Sequence, residues 1–218
     1  MPDETAPVAE QSDVIPMFAT LVWKVQLQPG LRDAIVSSAL PYIARLRKDS
    51  PPLAAGRGWQ SVQNLHTAEE FSDLVSCVNR TAAAVLRFLR IGHTAFEITA
   101  CWATILAPGA EHRIHWHPNN YLSGVYYLRT GSGADTINFH DPRSQAGIIR
   151  PPVTKLTGEN TDQVVVRVLD GTLLLFPSYL RHSVDSNSSG EERISISFNI
   201  MFSQFTETLT RPLWSADR

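Results

Sequence analysis

Three of the chain's seven histidines, His115, His117 and His182, stand where together they can hold a metal ion. His115 and His117 are separated by one residue, so on a β-strand both rings project from the same face. His182 follows the apolar run 173–176 and can complete a ligand set from a distant strand. Three neutral imidazoles leave coordination positions open on iron, cobalt, nickel, copper or zinc. Arg193 and Ser195 alternate on one strand face, where a guanidinium and a hydroxyl can grip a carboxylate. A lone histidine is more often structural than a ligand. The combination of a His-x-His pair, a distant histidine at a strand end and Arg-x-Ser makes coincidence a poor explanation.

Positioning such groups takes a rigid β-framework, and the second half of the chain has its texture. Short β-rich runs at 96–107, 121–129, 136–139, 164–169, 172–176 and 193–202 are separated by Pro108-Gly109, Gly131-Ser132-Gly133, Asp170-Gly171 and Asn187-Ser188-Ser189-Gly190. The first half differs. Residues 18–28 are β-rich and stop at Pro29-Gly30. From 31 to 48 apolar residues recur at helical spacing, with Pro41 expected to kink or divide the helix. Residues 50–58, with two prolines and two glycines, read as a loop. Thr67 with Glu70 reads as a capping box opening a second helix that runs to Arg90 and ends at Gly92. The expectation is an α+β chain: a flexible tail at 1–14, then one domain at 15–218. Its helical support, at about 31–92, packs on one side of a β-sandwich or barrel at about 95–203.

Bulk properties narrow the classes. Hydrophobic residues make up 43% of the 218, and charged residues 18%, enough for a sizeable core. A net charge of −2 without a basic stretch argues against nucleic-acid binding. No apolar run is long enough to span a membrane. The N-terminal stretch Met1-Pro2-Asp3-Glu4 lacks the basic and apolar parts of a secretion signal. The two cysteines, Cys77 and Cys101, lie in apolar segments and give no disulfide framework, so a reducing cytoplasm is the expected compartment.

The block running from His115-Trp116-His117-Pro118 to Ser123-Gly124-Val125-Tyr126-Tyr127-Leu128 resembles the iron(II)/2-oxoglutarate-dependent oxygenases. The nearest likeness is to a bacterial and phage branch with an HxHP…SGVYYL signature. The resemblance extends through 138–143, 171–182 and 192–199, with Gly58-Trp59-Gln60-Ser61 upstream. It implies a double-stranded β-helix (jelly-roll, cupin-like) core with N-terminal helices on one side. It also implies ferrous iron, 2-oxoglutarate and O2, with succinate and CO2 released as a small-molecule or peptide substrate is oxidised, hydroxylation being the default. Such a protein needs neither nucleic acid nor membrane, and a homodimer is compatible with it. By position, His115 matches the first metal ligand and His182 the distal one. Arg193 matches the partner of the far carboxylate, Ser195 its hydroxyl neighbour, and Tyr127 a tyrosine that joins them. No catalytic residue beyond the metal centre is implied.

His117 departs from the wider superfamily, which carries Asp or Glu there. Either His117 ligates, giving a three-histidine site, or it lines the pocket, or the chain binds another metal; the first reading is preferred. A second class stays open, because Gly109…His115-x-His117 and Gly171…Pro177…His182…Asn187 mimic cupin motifs. A three-histidine cupin-type dioxygenase, or a metal-binding module, would not use 2-oxoglutarate. Against the cupin, the glutamate expected after the second histidine is absent at 120–122, and Arg193-x-Ser195 has no purpose there.

His112 is expected as a neighbour of the ligands rather than one of them. Asn119, Asn120 and Tyr121 either border the substrate or form a turn. Trp102 and Trp116 either wall the pocket or pack, Asn199 shares the face of Arg193 and Ser195, and at most one of Tyr126 and Tyr127 faces the barrel interior. Arg143 and Arg181 read as exposed ion-pair partners, His140 as a weak candidate, and His66 and His93 as structural or exposed.

Overall fold

The computed structural model describes residues 11, 13–92 and 95–203, and among these described residues are ten strands, two α-helices and three short 3-10 helices. Most of the expected tail, His93 and the segment after residue 203 lie outside the described residues. The strands are β1 (Trp23–Gln26), β2 (Gly58–Gln60), β3 (Phe96–Leu106), β4 (His112–His115), β5 (Leu122–Arg129), β6 (Thr136–His140), β7 (Gln163–Arg167), β8 (Thr172–Pro177), β9 (His182–Val184) and β10 (Arg193–Phe202). They form a six-stranded sheet ordered β1-β8-β5-β10-β3-β2 and a four-stranded sheet ordered β4-β9-β6-β7. Every ladder is antiparallel.

Period-two alternation divides the larger sheet into two apolar faces. Outward residues Tyr126, Leu128, Leu173, Leu175, Ile194, Ile196 and Phe198 form one cluster with the helices. Inward residues Val125, Tyr127, Leu174 and Phe176 meet Ile137, Phe139 and Leu180 between the sheets. Tyr126 and Tyr127 therefore face opposite clusters, each ring fully buried.

Helix α1 (Pro29–Leu46) buries Ile35, Ala39 and Ile43, one turn apart, against the larger sheet. Pro29 lies in its first turn, where a missing N–H is harmless. Pro41 neither ends nor divides the helix; its ring lies on the exposed face. Helix α2 (Ser72–Phe88) adds Leu74, Cys77, Val78, Ala82, Val85 and Leu86. The expected capping box is not formed. Two 3-10 turns, Leu65–Thr67 and Glu69–Phe71, precede α2, and Thr67 Oγ1 donates to the Asn64 carbonyl instead. Glu70 is drawn away to Arg45, 2.5 Å distant. A backbone hydrogen bond and the Arg45 guanidinium together hold its carboxyl below the usual range. Beyond α2, Arg90 rather than Gly92 takes the left-handed conformation, with φ at +56°.

Candidate metal and cosubstrate site

β4 and β9 lie side by side at the mouth between the two sheets, and their pairing sets His115 directly opposite His182. His117 lies two residues past the end of β4. Its backbone N–H donates to the Ser178 carbonyl at 3.0 Å, and the Ser178 N–H donates to the Tyr121 carbonyl at 3.1 Å. These bonds tie the loop after β4 to the loop after β8 and return His117 to the mouth. The ring centroids are 4.2 Å apart for His115–His182, 5.1 Å for His115–His117 and 5.2 Å for His117–His182. One nitrogen from each of the three rings lies within 4.8 Å of the others.

The backbone also selects the tautomers. His115 Nδ1 is 2.7 Å from the Arg113 carbonyl and His182 Nδ1 is 2.9 Å from the Leu180 carbonyl. A carbonyl only accepts, so each Nδ1 donates and each Nε2 keeps its lone pair. Burial drives the imidazolium form of His182 down to a pKa of about 3, and that of His117 to about 4, with neighbouring histidine charge adding to the effect. Both rings are neutral near pH 7, the form in which imidazole binds a metal.

Thr104, Leu106, Tyr127, Arg193, Ser195 and Ser197 line the same cavity as the imidazoles. Ser195 pairs with Tyr127 on β5 and with Thr104 on β3, which brings three hydroxyls to one level of the barrel. Arg193 is only 3% exposed, yet its Nε and Nη1 have no hydrogen-bond partner. The same holds for Thr104 Oγ1 and the Tyr127 hydroxyl. Burial pushes that hydroxyl up to about 12, with the charge of Arg193 and its close approach to the oxygen pulling the other way, so it stays protonated and able to donate. Leaving such groups unpaired costs about 1–3 kcal/mol each, more for a charge, unless a ligand meets them.

Asn187 holds together the two turns that lead into this site. Its buried amide donates to the Leu106 and Glu191 carbonyls, while its backbone bonds Gly109 and Ala110. The turn before β4 and the turn before Arg193 are thereby clamped to each other. Thr104 was not singled out from the sequence, although it alternates with Trp102 and Leu106; Asn187 was marked only as a turn residue and as the last position of the cupin-like pattern.

The other candidates divide cleanly. Trp102 lines the cavity, 5.7 Å from the His117 ring. Trp116 is 54% exposed. Asn119, Asn120 and Tyr121 are not in the cavity lining. Asn119 adopts φ +62° in the turn, Asn120 accepts from Thr99 and donates to the Pro118 carbonyl, and Tyr121 packs on Phe202. Asn199 accepts from Ser123, away from the lining. His140 faces Ser183, and Arg143 pairs with Asp141. Arg181 donates to the Asp141 carbonyl rather than forming the ion pair expected of it.

Whether the residues present suit iron and 2-oxoglutarate can be judged from donors alone. Three lone pairs converge at one end and unpaired buried donors stand at the other, so an ion and a dianion are both matched. Among the described residues no Asp or Glu lines the cavity.

A family model described as "Putative 2OG-Fe(II) oxygenase" matches residues 100–199. No curated protein sequence matches the chain. Among solved structures, a Pseudomonas putida prolyl-4-hydroxylase is 19% identical with a TM-score of 0.55, covering 84% of this chain and 92% of its own. A prolyl hydroxylase from Trichoplax adhaerens, in complex with a hypoxia-inducible-factor peptide fragment, is 12% identical with a TM-score of 0.60, covering 88% and 87%. HygX from Streptomyces hygroscopicus, with nickel, 2-oxoglutarate and hygromycin B bound, is 13% identical with a TM-score of 0.56, covering 84% of each chain. At these identities the likeness establishes the jelly-roll fold. Residues 100–199 thus match the model of the 2OG-Fe(II) oxygenase family, on a jelly-roll fold that these solved structures share.

Proposed function

We propose that His115, His117 and His182 hold the ferrous ion as a three-histidine site and that Arg193, Tyr127 and Ser195 bind the far carboxylate of 2-oxoglutarate. The observation that carries this reading is the buried, unpaired Arg193 guanidinium facing three converging imidazole nitrogens across one narrow cavity. A fork of two unpaired N–H groups matches one carboxylate, and the protonated Tyr127 hydroxyl adds a donor. Thr104 is a fourth polar partner, one that the sequence did not single out.

Iron bound there supplies the dioxygen chemistry that turns 2-oxoglutarate into succinate and CO2 while a second substrate is oxidised. The chain's own residues do the rest. Arg193 and its hydroxyl neighbours orient the diacid, while Trp102, Val125, Ile137, Phe176 and Val184 keep bulk water from the reacting end. With neutral His117 where relatives carry a carboxylate, Arg193 is the one charged side chain in the described lining, so the cavity favours an anion.

We assign the second substrate to small molecules or peptides; the net charge of −2 fits no nucleic-acid role. Among the described residues no helix is long and apolar enough to cross a membrane. Two buried free thiols, Cys77 and Cys101, fit a reducing cytoplasm, where iron stays ferrous. Residues 15–218 are proposed as one domain behind a short tail. The deciding experiment measures succinate formed from 2-oxoglutarate with ferrous iron and O2, for the native chain and for Arg193→Gln. Iron-dependent succinate that Arg193→Gln abolishes supports the assignment. Oxygen uptake that ignores 2-oxoglutarate overturns it.

A further inference from the structure

β4 is not a regular strand. His112 pairs with Val184 and His115 with His182, so two residues, Arg113 and Ile114, oppose the single residue Ser183. That is a β-bulge, which re-aims side chains at the expense of regular pairing. Arg113 and Ile114 both point to solvent. Without the bulge, strict alternation would turn Arg113 inward with His115 and leave His112 outside. The bulge places a fourth imidazole in the cavity.

This ring is close to the metal-binding triad yet separate from it. Its centroid is 4.4 Å from that of His115, but it is not among the three residues whose ligand atoms converge. It lines the same cavity as Thr104, Tyr127 and Arg193, and the Arg193 charge acts on it. No hydrogen bond to its ring is found among the described residues. The opposing position is Val184, so packing alone would be satisfied by an apolar side chain.

We propose that His112 is a cosubstrate-binding residue, its imidazole N–H donating to 2-oxoglutarate in the stretch of cavity between the three histidines and Arg193. The inference rests on the 2-oxoglutarate reading above and extends it to a residue outside the ligand and Arg-x-Ser sets.

The test is calorimetric titration of 2-oxoglutarate into nickel-loaded protein, which needs no turnover, for the native chain, His112→Phe and His112→Gln. Phenylalanine keeps the ring shape without the donor, and glutamine restores an N–H. His112→Phe is expected to bind 2-oxoglutarate about tenfold more weakly or worse, the loss of one hydrogen bond to a charged group. Nickel stoichiometry should stay native, and His112→Gln should recover part of the affinity. Native affinity in His112→Phe overturns the proposal, and so does a loss of nickel, which would make His112 a ligand. If the unsubstituted protein binds nickel but not 2-oxoglutarate, the cosubstrate reading itself fails and this inference falls with it.

Discussion

The Arg193 guanidinium lies over the Tyr127 ring, 5.0 Å from its centroid, with both side chains buried and both lining the cavity. The ring face steadies the cation, but two of its nitrogens are left without acceptors. That arrangement is poor for a resting protein and good for one that awaits a carboxylate.

Arg193→Met should therefore separate function from stability. Titration of 2-oxoglutarate into nickel-loaded protein is expected to show affinity reduced about 100-fold, since hydrogen bonds to a charged group are worth about 1.5–3 kcal/mol each. The ligand-free melting temperature should not fall, because an uncompensated buried cation is removed. A large drop in melting temperature would show that Arg193 serves the fold.

His182→Ala should remove the metal. Its ring is fixed by the Leu180 carbonyl and faces both partner imidazoles, so two histidines would remain at the mouth. Metal content after dialysis should fall to background while the circular dichroism spectrum stays native. Unchanged metal content would break the triad.

His117→Asp replaces a neutral imidazole of the proposed triad with a carboxylate. Metal affinity should be kept or raised, while 2-oxoglutarate affinity should weaken about tenfold or more, because an added anion repels a dianion in a partly dehydrated cavity. Equal 2-oxoglutarate affinity in both proteins would mean that His117 does not set the charge of the site.

Gly124→Ala probes the sheet beneath the site. A Cβ there would sit 2.6 Å from the Leu174 carbonyl oxygen and closer still to the Phe198 ring. Denaturant unfolding should show a loss of about 1–3 kcal/mol, the usual cost of overpacking. Adding Phe198→Leu should recover only part of it, because the backbone oxygen stays in place. No loss in the single variant would show that the strand has room.

The Arg143–Asp141 pair gives a pH signature. The Arg143 guanidinium holds the Asp141 carboxyl below its ordinary value of 3.8. A carboxyl depressed in the folded state contributes stability above its unfolded pKa and loses it as pH falls through the folded value. The stability difference between the native chain and Arg143→Ala should be present at neutral pH and vanish in acid below the ordinary carboxylate range. Arg143 is largely exposed while Asp141 is half-buried, so the effect should be small and reduced by salt. A difference that persists in acid would assign Arg143 another role.

The amino-acid sequence determined what depends on neighbours along the chain. Period-two alternation put Arg193 and Ser195 on one face, separated Tyr126 from Tyr127, and marked six strands, because each is a local consequence of a pleated backbone. The His-x-His pair pointed to a candidate metal site for the same reason, although His117 proved to lie beyond its strand. Tertiary structure decided whatever depends on a distant partner. Strands β2 and β9, of three residues each, exist because the longer β3 and β6 supply hydrogen bonds to them, and β4 in turn pairs with β9. The capping box failed because Arg45 on another helix took its glutamate. The bulge that turns His112 inward is set by the register of β4 against β9, which the alternation of residues in β4 cannot reveal. The chain's local chemistry singled out the candidate ligands, and long-range pairing determined which further side chains share the cavity with them.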